Sequence, residues 1–94
     1  MGHLSNRILT AIAADRFVVS DHADNQLRER SIMAWQVVDG AAHARLLSER
    51  PWTLPNPSIE LDQSLADGTP IKVVWAWLDG AGMAKLVTVH FYDR

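Results

Sequence analysis

Residues 71–92 read IKVVWAWLDGAGMAKLVTVHFY and contain two apolar runs separated by a glycine-containing turn. β-Branched and aromatic residues, which favour strands, are frequent in both runs. The first run, residues 71–78, is apolar on nearly both faces, which is typical of a strand in the middle of a sheet. Residues 79–82 have the composition of a tight turn. The stretch therefore predicts two antiparallel strands joined by a hairpin.

The preceding residues extend this hairpin to a three-stranded meander. From Ser58 onward apolar and polar residues alternate, and residues 66–69 contain the Asp-Gly pair that favours a hairpin turn. If both turns are tight, the strands present one apolar face and one open face. The predicted core face consists of Ile59, Leu61, Val74, Ala76, Leu78, Val87, Val89 and Phe91. The predicted open face consists of Glu60, Asp62, Val73, Trp75, Trp77, Leu86, Thr88, His90 and Tyr92.

The aromatic residues of the predicted open face allow two interpretations. Tryptophan, tyrosine and histidine side chains beside carboxylates suit recognition of a flat ligand, a partner chain or a second copy of the protein. The candidate partner-binding residues are then Trp52, Trp75, Trp77 and Tyr92. Alternatively, the first helix covers Trp75 and Trp77, which are then core residues. A register slip of one residue would exchange the two faces.

The N-terminal residues predict one helix and one short strand. In residues 1–15 the apolar residues recur at helical spacing, and Ser5 is the predicted N-cap. Residues 17–19 are apolar and include two β-branched valines, which predicts a strand. This strand leads directly into Ser20, so the strand and the following helix are joined without a linker.

The helix after this strand, in residues 20–32 (SDHADNQLRERSI), carries most of the candidate chemistry. Ser20 or Asp21 is the predicted N-cap. A narrow apolar stripe is flanked by a face that contains His22 and Arg30. One interpretation is an amphipathic helix with solvated polar side chains. The other is that His22 and Arg30 face a cleft.

A third helix is predicted to start after Ser31 and to extend as far as Leu46 or Leu47, with Gly40 at a place of close backbone approach. Residues 51–57, PWTLPNP, cannot be regular because prolines restrict φ and lack N–H donors. Trp52 anchors this connector or faces a partner.

Length and composition predict one folded domain over residues 1–94. Hydrophobic residues make up 48% and charged residues 21%, as in ordinary globular proteins. The predicted fold class is α+β, a two-layer domain with helices packed on a three- to four-stranded, mainly antiparallel sheet. The apolar run in residues 8–14 is interpreted as part of an amphipathic helix and not as a signal peptide, so no membrane association is expected.

Charge and cysteine content exclude several classes of function. The net charge of −2 and the pI of about 6.0 disfavour RNA as a partner, although a local cluster such as Arg28, Arg30, Lys72 and Lys85 is basic within the acidic whole. The absence of cysteine excludes disulfides and thiolate chemistry and suits the cytoplasm. The histidines lack zinc-site spacing and no phosphate-binding glycine loop is present, so we expect no metal site and no cofactor.

Several motifs resemble one small bacterial family. His22-Ala23, Arg30, Ile32 and Val37 follow a pattern of the form His-Ala-x-x-Arg-x-x-x-Arg-Gly-Ile, a short spacer and Val. Further matches are the segments PNP (residues 55–57), KVVW (72–75) and LVTVHFY (86–92). Residues 17–92 in this way resemble domain-of-unknown-function family 4258, which is grouped with the RelE/ParE/BrnT toxin-like superfamily. The chain departs from the pattern at Gln26, where the family has Arg, and at Ser31, where it has Gly.

The resemblance implies a RelE-like fold with a cleft between the sheet and the flanking helices. It further implies a toxin of a toxin–antitoxin pair, a possible metal-independent endoribonuclease with an antitoxin as partner. Candidate catalytic residues are His22 and His90, and candidate phosphate-binding residues are Arg28 and Arg30. The alternative is a non-catalytic interaction module or homodimer that uses the tryptophan-bearing face of the sheet.

Overall fold

The structure, a computed structural model, describes residues 2–92. Within them the elements are α1 (His3–Ala13), β1 (Phe17–Val19), α2 (Asp21–Glu29), α3 (Ala34–Ala41), β2 (Arg45–Arg50), β3 (Ser58–Ser64), β4 (Pro70–Leu78) and β5 (Met83–Phe91). The strands form a five-stranded sheet in the order β1-β5-β4-β3-β2. β1 is parallel to β5, and the other neighbours are antiparallel. The α+β class and the mainly antiparallel pairing are confirmed, but the sheet has five strands and not three or four.

The start of α2 is determined by Ser20, one of the two predicted N-cap residues. The Ser20 hydroxyl accepts a hydrogen bond from the Ala23 N–H at 3.0 Å and donates one to the Val87 carbonyl at 2.9 Å. The Ser20 N–H also donates to the Leu86 carbonyl at 2.9 Å. An N-cap side chain satisfies a helix N–H that has no intrahelical acceptor. Ser20 therefore starts the helix and attaches it to β5.

Beyond Leu86, α2 takes the place of a strand along the edge of β5. β1 pairs only as far as Leu86, so the next outward-facing N–H group of β5 lacks a strand partner. The Gln26 Oε1 atom accepts this N–H, from Val89, at 2.8 Å and the Thr88 hydroxyl at 2.9 Å. Arginine, the residue of the resembled pattern at this position, has no acceptor atom. Gln26 therefore has a structural role here that arginine cannot fill.

The first helix is capped differently from the prediction. Gly2 occupies the N-cap position, and Ser5 is a buried residue of the first turn. The Ser5 N–H donates to the Glu49 carboxylate of β2 at 2.9 Å, and the Ser5 hydroxyl donates to the Gly2 carbonyl at 3.0 Å. The hydrogen bonds from Ser5 lower the pKa of Glu49. The prediction that Ser5 caps the helix was wrong because a carboxylate distant in sequence supplies the acceptor.

The core lies between the helices and one face of the sheet. In β4, the residues on this face differ from the predicted ones by a shift of one position. Ile59 pairs with Trp75 and Leu61 with Val73. All four side chains are buried. The β3–β4 connection closes with Ser64 opposite Pro70, one residue different from the tight Asp-Gly turn that we predicted. The assignment of Val74 and Ala76 to the core face, and of Val73, Trp75 and Trp77 to the open face, was therefore wrong.

The face of β5 changes with a β-bulge. Trp75 pairs with Leu86, whereas Val74 pairs with Thr88, so that Val87 is the additional residue. In the part of β5 that precedes the bulge, the residues lie on the face opposite to the predicted one. Leu86, predicted on the open face, is buried in the core. After the bulge Val89 is buried as predicted. A bulge changes the side-chain alternation of one strand and leaves that of its partner unchanged.

The third helix ends at Ala41, so the predicted extension to Leu46 or Leu47 was wrong. Residues Arg45–Arg50 instead form β2 at the edge of the sheet. The predicted close approach at Gly40 is confirmed, since a Cβ there would lie 2.5 Å from the Gln63 Nε2 atom. In residues 2–92, no helix has the length and apolar character needed to cross a membrane.

Candidate functional site

The sheet face opposite the core, here called the open face, carries polar and charged side chains. They include Ser48, Glu60, Lys72, Lys85 and His90. Helices α1 and α3 pack against strands from the core side. The open face therefore remains available for a ligand or partner.

A cleft of about 400 Å³ lies on the open face. Its floor is formed by β3, β4 and β5, with Val74, Ala76 and Val87 as the apolar part. The start of α2 contributes Ser20 and His22 to the wall. The rest of the lining consists of Arg50, Thr53, Leu54, Pro55, Asn56, Ser58, Glu60 and Lys85. The cleft is thus partly apolar and carries a histidine, two other basic side chains and one carboxylate.

Glu60 is a charged group of the cleft that is largely shielded from solvent. The Glu60 side chain is 15% exposed. Its carboxylate accepts a hydrogen bond from the Ser48 hydroxyl at 3.1 Å and lies 3.4 Å from the Arg50 guanidinium and 3.9 Å from the Lys72 ammonium group. A carboxylate with so little exposure requires such partners. Glu60 therefore orders cations on both neighbouring strands.

Lys85 faces the same cleft from β5. Within residues 2–92 it forms no salt bridge, in contrast to Arg50, which is paired with Glu60. The N-terminus of α2 adds partial positive charge near His22. An anionic group in the cleft would therefore meet a lysine, an arginine and a histidine.

The structure separates the two histidines that we predicted to be catalytic. His22 lines the cleft, but His90 does not. His90 lies opposite Lys72 in the β4–β5 ladder, three residues beyond Val87, which corresponds to about 10 Å along a strand. Its ring packs edge-on against Tyr92 with a centroid distance of 5.6 Å. His90 and Tyr92 thus share the end of the open face away from His22.

The arginines that we predicted to bind phosphate also lie outside the cleft. The Arg28 side chain is exposed and forms a salt bridge with Asp24 at 3.0 Å. Arg30 lies over the Phe91 ring, 4.4 Å from its centroid, and lines a different cavity at the far end of α2. The two residues lie at opposite ends of the helix, so the interpretation in which His22 and Arg30 face one cleft does not hold.

The tryptophans divide between the core and the surface. Trp75 is fully buried and contacts Phe17 edge-on at 6.1 Å, so it cannot bind a partner. Trp77 is half-buried against the core, and its indole N–H donates to Asp79 at 3.2 Å. The alternative that Trp75 belongs to the core is confirmed, whereas Trp77 is only partly buried at the edge of the core. Trp52, in the loop between β2 and β3, is 73% exposed.

Sequence reasoning missed two charged residues of the cleft, Arg50 and Glu60. Arg50 is at the end of β2, a strand that we predicted as helix and connector. Glu60 was assigned to the open face but not to a site. Lys85 was recognised only as a member of a local basic cluster. Residues 45–50 (RLLSER) carry no local signal for this site, because Arg50 and Glu60 become neighbours only through the pairing of β2 with β3.

Comparisons with protein-family models, with curated proteins and with solved structures give no match for this chain. The resemblance to domain-of-unknown-function family 4258 therefore depends on the sequence motifs alone.

Proposed function

We propose that the protein is a cytoplasmic, RelE/BrnT-like endoribonuclease and that the cleft on the open face is its active site. The observation that carries the proposal is that His22, Arg50 and Lys85 line one cleft. RNA cleavage without a metal needs a proton acceptor and cations near the phosphate, and these side chains supply both. The motif resemblance supports the same function from the sequence.

In the proposed reaction the neutral imidazole of His22 accepts the proton of a ribose 2′-hydroxyl. The 2′-oxygen forms a bond to phosphorus, the bond from phosphorus to the 5′-oxygen breaks, and the leaving oxygen takes a proton from water. The hydroxide formed in this way takes the proton held by His22, which restores the neutral imidazole. The products are a 2′,3′-cyclic phosphate and a 5′-hydroxyl end. Lys85 and Arg50 stabilise the negative charge that develops on the phosphate oxygens.

The test is RNA cleavage by wild-type protein and the variant His22→Ala. Because His22 is exposed, we expect the variant to remain folded, and we expect cleavage to fall by about 100-fold or more. His43, which is exposed and lines a separate cavity, is the matched control. His43→Ala should cleave RNA at the wild-type rate. Equal cleavage by wild type and His22→Ala would refute catalysis by His22.

Exposed apolar side chains next to the cleft favour a second candidate, a non-catalytic interaction module that forms a homodimer. Trp52 is 73% and Leu54 90% exposed, and Leu54 also lines the cleft. Large exposed apolar side chains are enriched where proteins associate. Sedimentation of wild type and of a Trp52→Ser, Leu54→Ser variant tests this function. A dimer that becomes monomeric in the variant supports it, and a monomeric wild type contradicts it.

A further inference from the structure

The carboxylate of Glu60 occupies the position between the cations of the open face. Arg50 lies diagonally from it on β2 and Lys72 diagonally on β4, at 3.4 and 3.9 Å from its oxygens. The Arg50 and Lys72 side chains are more exposed than that of Glu60. A ligand from solvent therefore meets the two cations first and the carboxylate beneath them.

An anionic ligand that binds Arg50 must share it with this carboxylate. The negative charge of the ligand then lies within a few ångströms of the negative Glu60 carboxylate. Little water separates the two charges because Glu60 is shielded from solvent. Like charges repel more strongly where water does not screen them. Lys85, which has no salt bridge within residues 2–92, does not carry this penalty.

We propose that Glu60 acts as an internal competitor that holds Arg50 and thereby weakens the binding of polyanions in the cleft. This inference rests on the proposed function, because it takes a phosphodiester chain as the ligand. Such a chain offers several adjacent phosphates and binds through Lys85 and a shared Arg50. A ligand with a single phosphate binds weakly, because Lys85 is the one cation in the described part of the cleft for which it does not compete with Glu60.

The test compares binding of a fluorescein-labelled 2′-O-methyl oligouridylate to wild type and to Glu60→Gln. The methyl group blocks the 2′-oxygen, so binding is measured without cleavage. The glutamine keeps the shape of the side chain and an acceptor for Ser48 but removes the charge. We expect the affinity to rise roughly five-fold. If a freed cation contacts one more phosphate, the plot of log affinity against log salt steepens by about 0.7.

The matched control is Asp62→Asn. Asp62 is on the same strand, forms a salt bridge with Arg45 at 2.9 Å and does not line the cleft. The substitution removes the same charge from the protein, and we expect the affinity to change by less than about two-fold. Glu60→Ala, which removes the charge together with most of the side chain, is measured in parallel in case Glu60→Gln does not fold.

Tighter binding by the Glu60 variants alone supports the inference. Equal or weaker binding by them, or the same increase in Asp62→Asn, overturns it. If neither wild type nor any variant binds the probe, the inference and the proposed function fail together. If Glu60→Gln binds more tightly but wild type cleaves no unmodified RNA, the inference stands and the proposed catalysis fails.

Discussion

Replacement of Gln26 by alanine tests the conclusion that α2 completes the edge of the sheet. The substitution removes the acceptor of two hydrogen bonds, from the Val89 N–H at 2.8 Å and from the Thr88 hydroxyl at 2.9 Å. Val89 is 1% exposed, so its N–H has no ready access to water. Alanine itself favours helices, so helix propensity does not oppose the change.

The expected loss of stability follows from these contacts. A buried donor left without an acceptor costs about 1–3 kcal/mol. The Thr88 hydroxyl is only half-buried and can rotate toward water, so it adds less. We expect Gln26→Ala to lower the free energy of unfolding by about 2 kcal/mol. For a domain of this size that corresponds to a fall in Tm of about 8–16 °C.

Thermal unfolding followed by circular dichroism measures this change, with two further variants. Gln26→Glu retains acceptor oxygens and should stay within about 0.5 kcal/mol of wild type at neutral pH. Asn25→Ala, an exposed neighbour on the same helix, should also be nearly neutral. A wild-type Tm for Gln26→Ala would refute the role of the acceptor. An equal loss in Gln26→Glu would show that the acceptor is not the cause.

Three further predictions concern stability. Glu49→Gln should lower the free energy of unfolding at neutral pH. Hydrogen bonds with Ser5 lower the pKa of Glu49 in the folded state, so the stability advantage of wild type should be complete above the ordinary glutamate pKa and disappear as the pH falls through the folded-state pKa. Urea unfolding at about pH 7 and about pH 3 would check this dependence. Trp75→Ala should cost about 3–5 kcal/mol and Trp52→Ala less than about 0.5 kcal/mol in the same assay, and equal effects would contradict their burial. Gly40→Ala should destabilise by about 1–3 kcal/mol because its Cβ would meet the Gln63 side chain, and a gain in Tm, normal for glycine to alanine in a helix, would refute this contact.

Local patterns were sufficient to predict several elements. Ser20 was recognised as a possible N-cap, and the strand in residues 17–19 and the hairpin turn in residues 79–82 follow from composition and spacing. These features depend on neighbours within a few residues, since a cap bonds to its own helix and a turn closes on itself. His22 reached the cleft because it belongs to the first turn of a helix with a well-defined start.

Long-range pairing explains what the local patterns missed. The predicted third helix included the first residues of β2, as far as Leu46 or Leu47, because residues 45–50 contain no strong strand signal; the pairing of β2 with β3 outweighs the local preference. Arg50 and Glu60 became neighbours only through that pairing. His90 was separated from His22 because the start of α2 is attached to β5 at Val87, whereas His90 lies about 10 Å further along β5.

The sequence by itself determined the α+β class and the meander, and it limited the cap of α2 to Ser20 or Asp21. Only the tertiary structure decided which side chains face the core. A five-residue β3–β4 connection and a bulge at Val87 place Trp75 inside and Val74 in the cleft. The physical reason is that side chains alternate along a strand, so one residue of register exchanges its two faces. The register depends on packing across the whole sheet, and a short stretch of sequence does not contain that information.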